Sequence, residues 1–406
     1  QPRNPRAFFH PGRGRQLIPT ENYFARLNRW LELESAAEAE ELAERRKLRT
    51  RKNAEMSGES IIDLVIEDHQ TGLAGRHLFT FVKRNRKQDL PWNRLRIGSP
   101  VVVTPLGDDG DAAQNGVVSA RSNHAIQVAL EHWISGKLFD LDLSTDEVTR
   151  NRERAALANV SVATGKMLER RQILLGDLDP IYGHNRRPRF RGDPPPLLDV
   201  DHLNPSQCEA IQFALTAEDV AIIHGPPGTG KTTSVVAFIR QAISRGERVL
   251  ACAPSNTAVD NLLERLIEAD ERVVRLGHPA RVKEDLRTHT LDGLVESHDN
   301  MRVARNLLRR AEQLFEKADR YTRARPVAGS KYEMRREAKQ LKQEARHLER
   351  RAIYDVLEEA DVICATNTID EEVLGDREFD WVVVDEACQC TESATWIPLQ
   401  RGQRIL

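Results

Sequence analysis

Residues Gly225 to Thr232 read GPPGTGKT and meet every fixed position of the phosphate-loop pattern G-x-x-x-x-G-K-[ST]. The pattern works only between a strand and a helix. Glycines let the backbone wrap an anion, and the N–H groups of the loop and of a helix N-terminus point at it. The flanking sequence offers both elements. Asp219 to His224 (DVAIIH) is a short apolar run bounded by turn residues and predicts a buried parallel strand. From Lys231 to Ser244 the apolar residues Val235, Val236, Phe238, Ile239, Ala242 and Ile243 recur at helical spacing. An α/β fold follows, in which Gly225, Pro226, Pro227, Gly228, Thr229, Gly230, Lys231, Thr232 and Thr233 surround the phosphates of a nucleotide. Lys231 reaches the β- and γ-phosphates and Thr232 offers a hydroxyl to Mg²⁺.

A second motif completes the chemistry. Val382 to Gln389 read VVVDEACQ, with the apolar run Trp381 to Val384 ending in Asp385 and Glu386. An open α/β sheet places ligands at such carboxyl ends. Asp385 is the candidate to hold Mg²⁺ through its water shell, and Glu386 to orient or deprotonate the attacking water. Gln389 is placed to sense the γ-phosphate. An Asp-Glu pair after a strand also suits an ordinary helix N-terminus, but its partnership with the phosphate loop favours nucleotide hydrolysis.

Length and composition bound the remainder. A chain of 406 residues has room for two or three domains. Its net charge of −2 means that any nucleic-acid affinity comes from local basic patches. No apolar run approaches membrane-spanning length. Five cysteines, Cys208, Cys252, Cys364, Cys388 and Cys390, include no CxxC pair, a pattern of reduced thiols without a zinc site. Cys388 and Cys390 read as small buried residues, with metal binding or oxidation as the other readings. The chain opens on Gln1 and stops at Ile405-Leu406 in what reads as a core strand, as expected of a piece of a longer protein.

Along the chain, residues 1–57 read as a basic arm followed by a helix opened by Thr20, with Phe24, Leu27, Trp30 and Leu31 as its apolar stripe. Residues 58–140 switch to short β-type runs at Ile61-Ile62, Leu78 to Val82, Val101 to Thr104, Val117-Val118 and Ile126 to Leu130, the spacing of a small sandwich or barrel. That unit either braces the phosphate-loop domain or guides nucleic acid. Residues 141–200 hold a helical stretch from Ser144 to about Arg171 and a Pro/Arg linker from Arg186 to Pro196. Residues 201–406 carry the α/β domain. Its 281–360 segment is a basic helical insertion, running from Arg302 through Arg351 and broken near Arg325-Pro326 and Gly329. Such a run is either a solvated helix face or a phosphate-tracking surface.

Several further segments line up in order: LNPSQ (Leu203 to Gln207), APSNTAVDN (Ala253 to Asn261), RLGHPAR (Arg275 to Arg281), ATNT (Ala365 to Thr368), DEACQ (Asp385 to Gln389) and WIPL (Trp396 to Leu399). They resemble the superfamily 1 helicases of the up-frameshift, senataxin and immunoglobulin-mu-binding-protein branch, most nearly the last. The likeness is tight after Asp201 and loose from about Leu31 to there. It implies a RecA-like parallel-sheet domain bearing a helical stalk, a small β-barrel and a helical insertion. It also implies that Gln207 reads the adenine edge, giving a preference for ATP. Pro254, Ser255, Asn256 and Thr257, with Thr366, would hold the backbone of single-stranded RNA or DNA, moved with 5′→3′ polarity. Contacts of that kind are sequence-tolerant and salt-dependent; by residue type alone, Ser255-Asn256 equally suits a helix cap.

The resemblance also implies what is absent. Such motors close two RecA-like domains on ATP, and the second domain supplies an arginine finger, a group worth about 10³–10⁵ in rate. This chain stops before the GD and QLPP motif and carries no second domain, so it is expected to bind ATP weakly and turn it over poorly. The competing reading is a non-catalytic, ATP-gated nucleic-acid clamp. The expected compartment is the cytoplasm, or the nucleus of a eukaryote.

Overall fold

In a computed structural model, residues 20–48, 51–71, 77–86, 88–106, 112–144, 147–183, 197–319 and 330–406 are described. The expected basic arm, the Pro/Arg linker and the break at 325–329 lie outside them. Helix α1 (Thr20–Leu48) buries Phe24, Leu27 and Leu31 against α3 (Glu147–Ser161) and α12 (Glu392–Leu399). Its stripe is narrower than expected: Trp30 is 53% exposed, with the Arg26 guanidinium 5.1 Å from its ring. One residue short of Leu31, it lies about 100° around the helix from the buried seam.

A short helix α2 (Arg51–Met56) leads into a closed antiparallel barrel ordered β1 (Ser60–Thr71), β2 (His77–Lys83), β5 (Ala125–Leu130), β4 (Gln114–Arg121), β3 (Pro100–Leu106) and β6 (Leu138–Leu143). Alternate residues fill it: Phe79 and Phe81, Val101 and Val103, Ile126, Val128 and Leu130. Strand β6 was not expected, and the unit boundary expected at residue 140 falls inside it. In LFDLDL, Phe139 and Leu141 point inward while the intervening carboxylates take specific partners. Arg51 donates to both oxygens of Asp140 at 2.6 Å, tying α2 to the barrel.

The second sheet is parallel, ordered β11 (Gly402–Ile405), β10 (Phe379–Val384), β7 (Val249–Ala253), β9 (Val362–Thr366) and β8 (Val273–Arg275). Its inner strands β10, β7 and β9 are largely apolar on both faces, as helix-covered parallel strands must be. Val249, Ala251 and Ala253 face α6 (Lys231–Ser244) and α7 (Asn256–Glu268), while Leu250 and Cys252 face the α1–α3–α12 side. The strand expected over Asp219 to His224 forms only at its start. Val220 bridges Ile405 in parallel, and the backbone then runs on unpaired with Ile222 78% exposed.

The helical insertion rises from α8 (Leu291–Ser297) as α9 (Asp299–Asp319) and α10 (Ser330–Glu359), packed antiparallel with Ala352 near Met301 and Lys342 over Phe315. Beneath its charged exterior lies a seam of buried alanines at seven-residue spacing. Ala304, Ala311 and Ala318 repeat on α9, and Ala338, Ala345 and Ala352 on α10. Small residues at that period let two helices approach closely. The contrast between six buried alanines and an arginine-rich exterior explains why only charge was visible in the sequence.

Candidate nucleotide site and the loops beside it

The phosphate loop takes its shape from two left-handed glycines, Gly228 (φ 81°) and Gly230 (φ 79°). Gly230 is also the N-cap of α6 and supplies no side-chain cap, so the first-turn N–H groups face the loop. A Cβ on Gly230 would stand 2.6 Å from Gln207 Nε2, so only glycine lets Gln207 lie against the loop. Lys231 Nζ donates to the carbonyls of Gly225 (2.8 Å) and Pro226 (3.2 Å). Thr229 Oγ1 donates to Pro226 O at 2.8 Å.

Gln207 stands in the first turn of α5 (Pro205–Leu215) and closes a capping box with Asn204. Its Oε1 accepts from Asn204 N at 2.9 Å and its Nε2 donates to Thr229 O at 3.0 Å. The side chain therefore fastens α5 to the phosphate loop. That leaves one N–H and one lone pair free on its amide.

Asp385 and Glu386 follow β10 and meet the loop across the sheet. Thr232 Oγ1 donates to Asp385 Oδ2 at 3.2 Å. Burial pushes the Asp385 carboxyl above the ordinary aspartate value. Hydrogen bonds from Glu386 N and Thr232 oppose the shift, and the neighbouring Glu386 carboxylate adds to it. Glu386 is left-handed (φ 53°) without being glycine, a conformation that costs on the order of 1–3 kcal/mol and clusters at functional sites. Gln389 Nε2 donates to Glu386 Oε2 at 2.9 Å, holding the carboxylate from one side. Thr233 turns the other way and accepts from Arg265 at 2.8 Å.

The loops after β7 and β9 stand on the same rim, since Asp385 N donates to Cys252 O at 2.9 Å and Asn367 N to Ala253 O at 3.1 Å. Pro254, Ser255, Asn256 and Thr257 are thereby brought beside Thr366, with Ser255 and Thr257 exposed. Ser255 is the N-cap of α7, its Oγ accepting from Ala258 N at 3.2 Å. Asn256 Oδ1 accepts from Arg275 at 2.8 Å. Arg275 is fully buried, 3.3 Å from the buried Asp260, whose other oxygen accepts from Lys283 N at 3.1 Å. This buried pair under the loop was not expected; Asp260 lies in the APSNTAVDN segment and Arg275 in RLGHPAR, and neither residue was given a role. The acidic motif also departs from expectation: Cys388 is exposed and Cys390 half-buried. The loop after Glu386 stands at the rim of the sheet, outside its packed interior.

Residues 202–406 match a family model described as an AAA domain, and residues 26–150 one described as the helicase SMUBP-2/HCS1 1B domain. The chain belongs to the AAA domain family. Within it, the relatives place the chain with the superfamily 1 helicases of the up-frameshift and SMUBP-2 type. DNA-binding protein SMUBP-2 of Rattus norvegicus is 34% identical over 95% of this chain and 39% of its own length. An uncharacterized ATP-dependent helicase of Methanocaldococcus jannaschii is 30% identical over 70% of this chain and 46% of its own. DNA polymerase alpha-associated DNA helicase A of Schizosaccharomyces pombe is 26% identical over 86% and 54%. The chain thus spans about half the length of these relatives or less. Among the described residues no helix is long and apolar enough to cross a membrane.

Proposed function

We propose that this chain is the ATP-binding and strand-gripping part of an ATP-dependent helicase or translocase acting on single-stranded RNA or DNA. The observation that carries the proposal is the meeting of Thr232 and Asp385 at 3.2 Å, with Glu386 beside them on the rim that also bears the 254–257 and 366 loops. In this reading residues 201–406 form a RecA-like domain, residues 281–360 its helical insertion, and α1 with α3 a stalk carrying the barrel. Residues 1–57, 58–140 and 141–200 are the corresponding preceding units, the barrel extended to include β6. A reducing compartment, the cytoplasm or a eukaryotic nucleus, suits the five free cysteines.

The ATP phosphates would lie along the N–H groups of residues 225–233, with Lys231 exchanging its loop carbonyls for phosphate oxygens. The free N–H and lone pair of Gln207 suit an adenine edge. Thr232 and Asp385 present hard oxygen donors, which fit Mg²⁺ together with phosphate oxygens and water. When bound, that ion neutralises charge on the β- and γ-phosphates. Glu386, held by Gln389, orients and deprotonates the attacking water, and Gln389 is placed to sense the departing phosphate. The 254–257 loop and Thr366 would hold the sugar-phosphate backbone, so that ATP-driven closure alters the grip on the strand.

ATP hydrolysis by the full-length protein, with and without a single-stranded oligonucleotide, tests the reading, with Glu386→Gln as the blank. Strand-stimulated turnover above the blank is expected, with nucleotide binding lost in Lys231→Ala. Nucleotide binding without any turnover would replace the motor by an ATP-gated clamp.

A further inference from the structure

Asn367 sits where the two halves of the rim meet, and neither half uses it. It lies between Thr366 and Thr368 and is 3% exposed. Its backbone N–H ties the loop after β9 to Ala253, where the 254–257 loop begins. Its side chain turns toward the acidic motif instead. Nδ2 donates to Cys390 Sγ at 2.9 Å, and Cys390 Sγ donates to the carbonyl of Glu386 at 3.7 Å. Burial pushes the Cys390 thiol up, which keeps the proton that it donates.

Two observations mark this chain of contacts as more than packing. Asn367 Oδ1 is buried without a hydrogen-bond partner in the protein, an unfavourable state for a buried acceptor. Glu386, at the far end, holds its left-handed backbone without glycine. Both ends thus stand in unfavourable states that a small movement of either loop would change. The Thr366 and Thr368 hydroxyls stand 3.4 Å apart, and Arg152 donates to Thr368 O at 3.0 Å.

We propose that Asn367, acting through Cys390, is a positioning residue that couples strand occupancy at the 254–257 loop and Thr366 to the placement of Glu386. The inference rests on the proposed roles of those loops and of Glu386. No bond is made or broken in it; two hydrogen bonds carry a displacement of one loop to the backbone of the other.

The test is the ratio of strand-stimulated to unstimulated ATP hydrolysis in the full-length protein, measured with nucleotide affinity and strand affinity for Asn367→Ala, Cys390→Ala and the double variant. Each single variant is expected to lower the ratio at least about fivefold, in the range of ordinary coupling between sites. Both affinities and the unstimulated rate should stay unchanged. The double variant should lose no more than the worse single one, as members of one chain do. Wild-type stimulation in either single variant, a loss that merely tracks strand affinity, or multiplicative losses in the double variant would overturn the coupling while leaving the motor reading intact. A wild-type enzyme indifferent to strand would remove the motor reading and the coupling with it. If alanine at 367 prevents folding, Cys390→Ala decides the matter, and Cys390→Ser, which keeps a donor, should recover part of the ratio.

Discussion

The nucleotide rim and the loop after β7 lie side by side on one sheet, yet their polar side chains are engaged in opposite ways. In the phosphate loop, Lys231 and Thr229 bond to carbonyls of the loop itself, contacts that a phosphate can replace without disturbing the sheet. In the 254–257 loop, Ser255 caps α7 and Asn256 accepts from a buried arginine, contacts on which the fold depends. Changes in the first region should therefore alter activity at constant stability. Changes in the second should alter stability and activity together.

Glu386→Gln gives the largest separation of the two. Its side chain is held by Gln389 alone among the hydrogen bonds of the described residues, so thermal unfolding and nucleotide binding should stay close to the parent. Turnover should fall by about 10²–10⁴, the usual contribution of a positioned general base. A comparable loss of unfolding temperature would erase the distinction between the regions.

Arg275→Ala strikes beneath the second region. It leaves Asp260 buried without its ion-pair partner, although Lys283 N still donates to it. Removing one member of such a pair costs about 3–5 kcal/mol, readable as a lowered denaturation midpoint. Asn256 loses its anchor at the same time, so strand binding should weaken with stability. Ser255→Ala is the milder form of the same experiment, with about 0.5–2 kcal/mol lost for the cap. A Ser255→Ala protein of parental stability but weakened strand binding would show that the hydroxyl serves the strand more than the helix.

The same contrast decides what the sequence could reveal. The glycine loop and the Asp-Glu pair stood out because such patterns fix residue types at fixed spacing, and the fold brings Thr232 within 3.2 Å of Asp385. Five barrel strands were legible because alternate residues face a dry interior; β6 was not, since Asp140 and Asp142 interrupt LFDLDL with carboxylates whose partners, Arg51 and Ser60, lie far away in the chain. The alanine seam of the insertion was hidden by its basic exterior. Arg275 was illegible as a buried residue because burial of a guanidinium depends on Asp260 and Asn256 arriving from another element. Gln207 shows the intermediate case: its motif marked the position, while its capping-box and Thr229 bonds emerged only from the fold.

Asp385→Asn is the smallest expected effect and the one whose sign is most informative. The Asp385 carboxyl titrates above its ordinary value of 3.8 because burial disfavours its charge. A carboxyl raised in the folded state contributes stability below its unfolded value and loses that contribution as pH rises through the folded one. At neutral pH the nucleotide-free parent therefore carries a buried charge at a cost. Asn removes that cost, keeps an acceptor for Glu386 N and can donate its amide N–H to the Thr232 hydroxyl, so the variant should unfold at a higher temperature than the parent at pH 7. The gap should close as pH falls below the ordinary aspartate value. Nucleotide should invert the order, because a metal ion bound at Thr232 and Asp385 stabilises the carboxylate that burial penalises. A parent more stable than Asp385→Asn at pH 7 without nucleotide would mean that the carboxylate supports the fold, placing this residue with Arg275 rather than with Glu386.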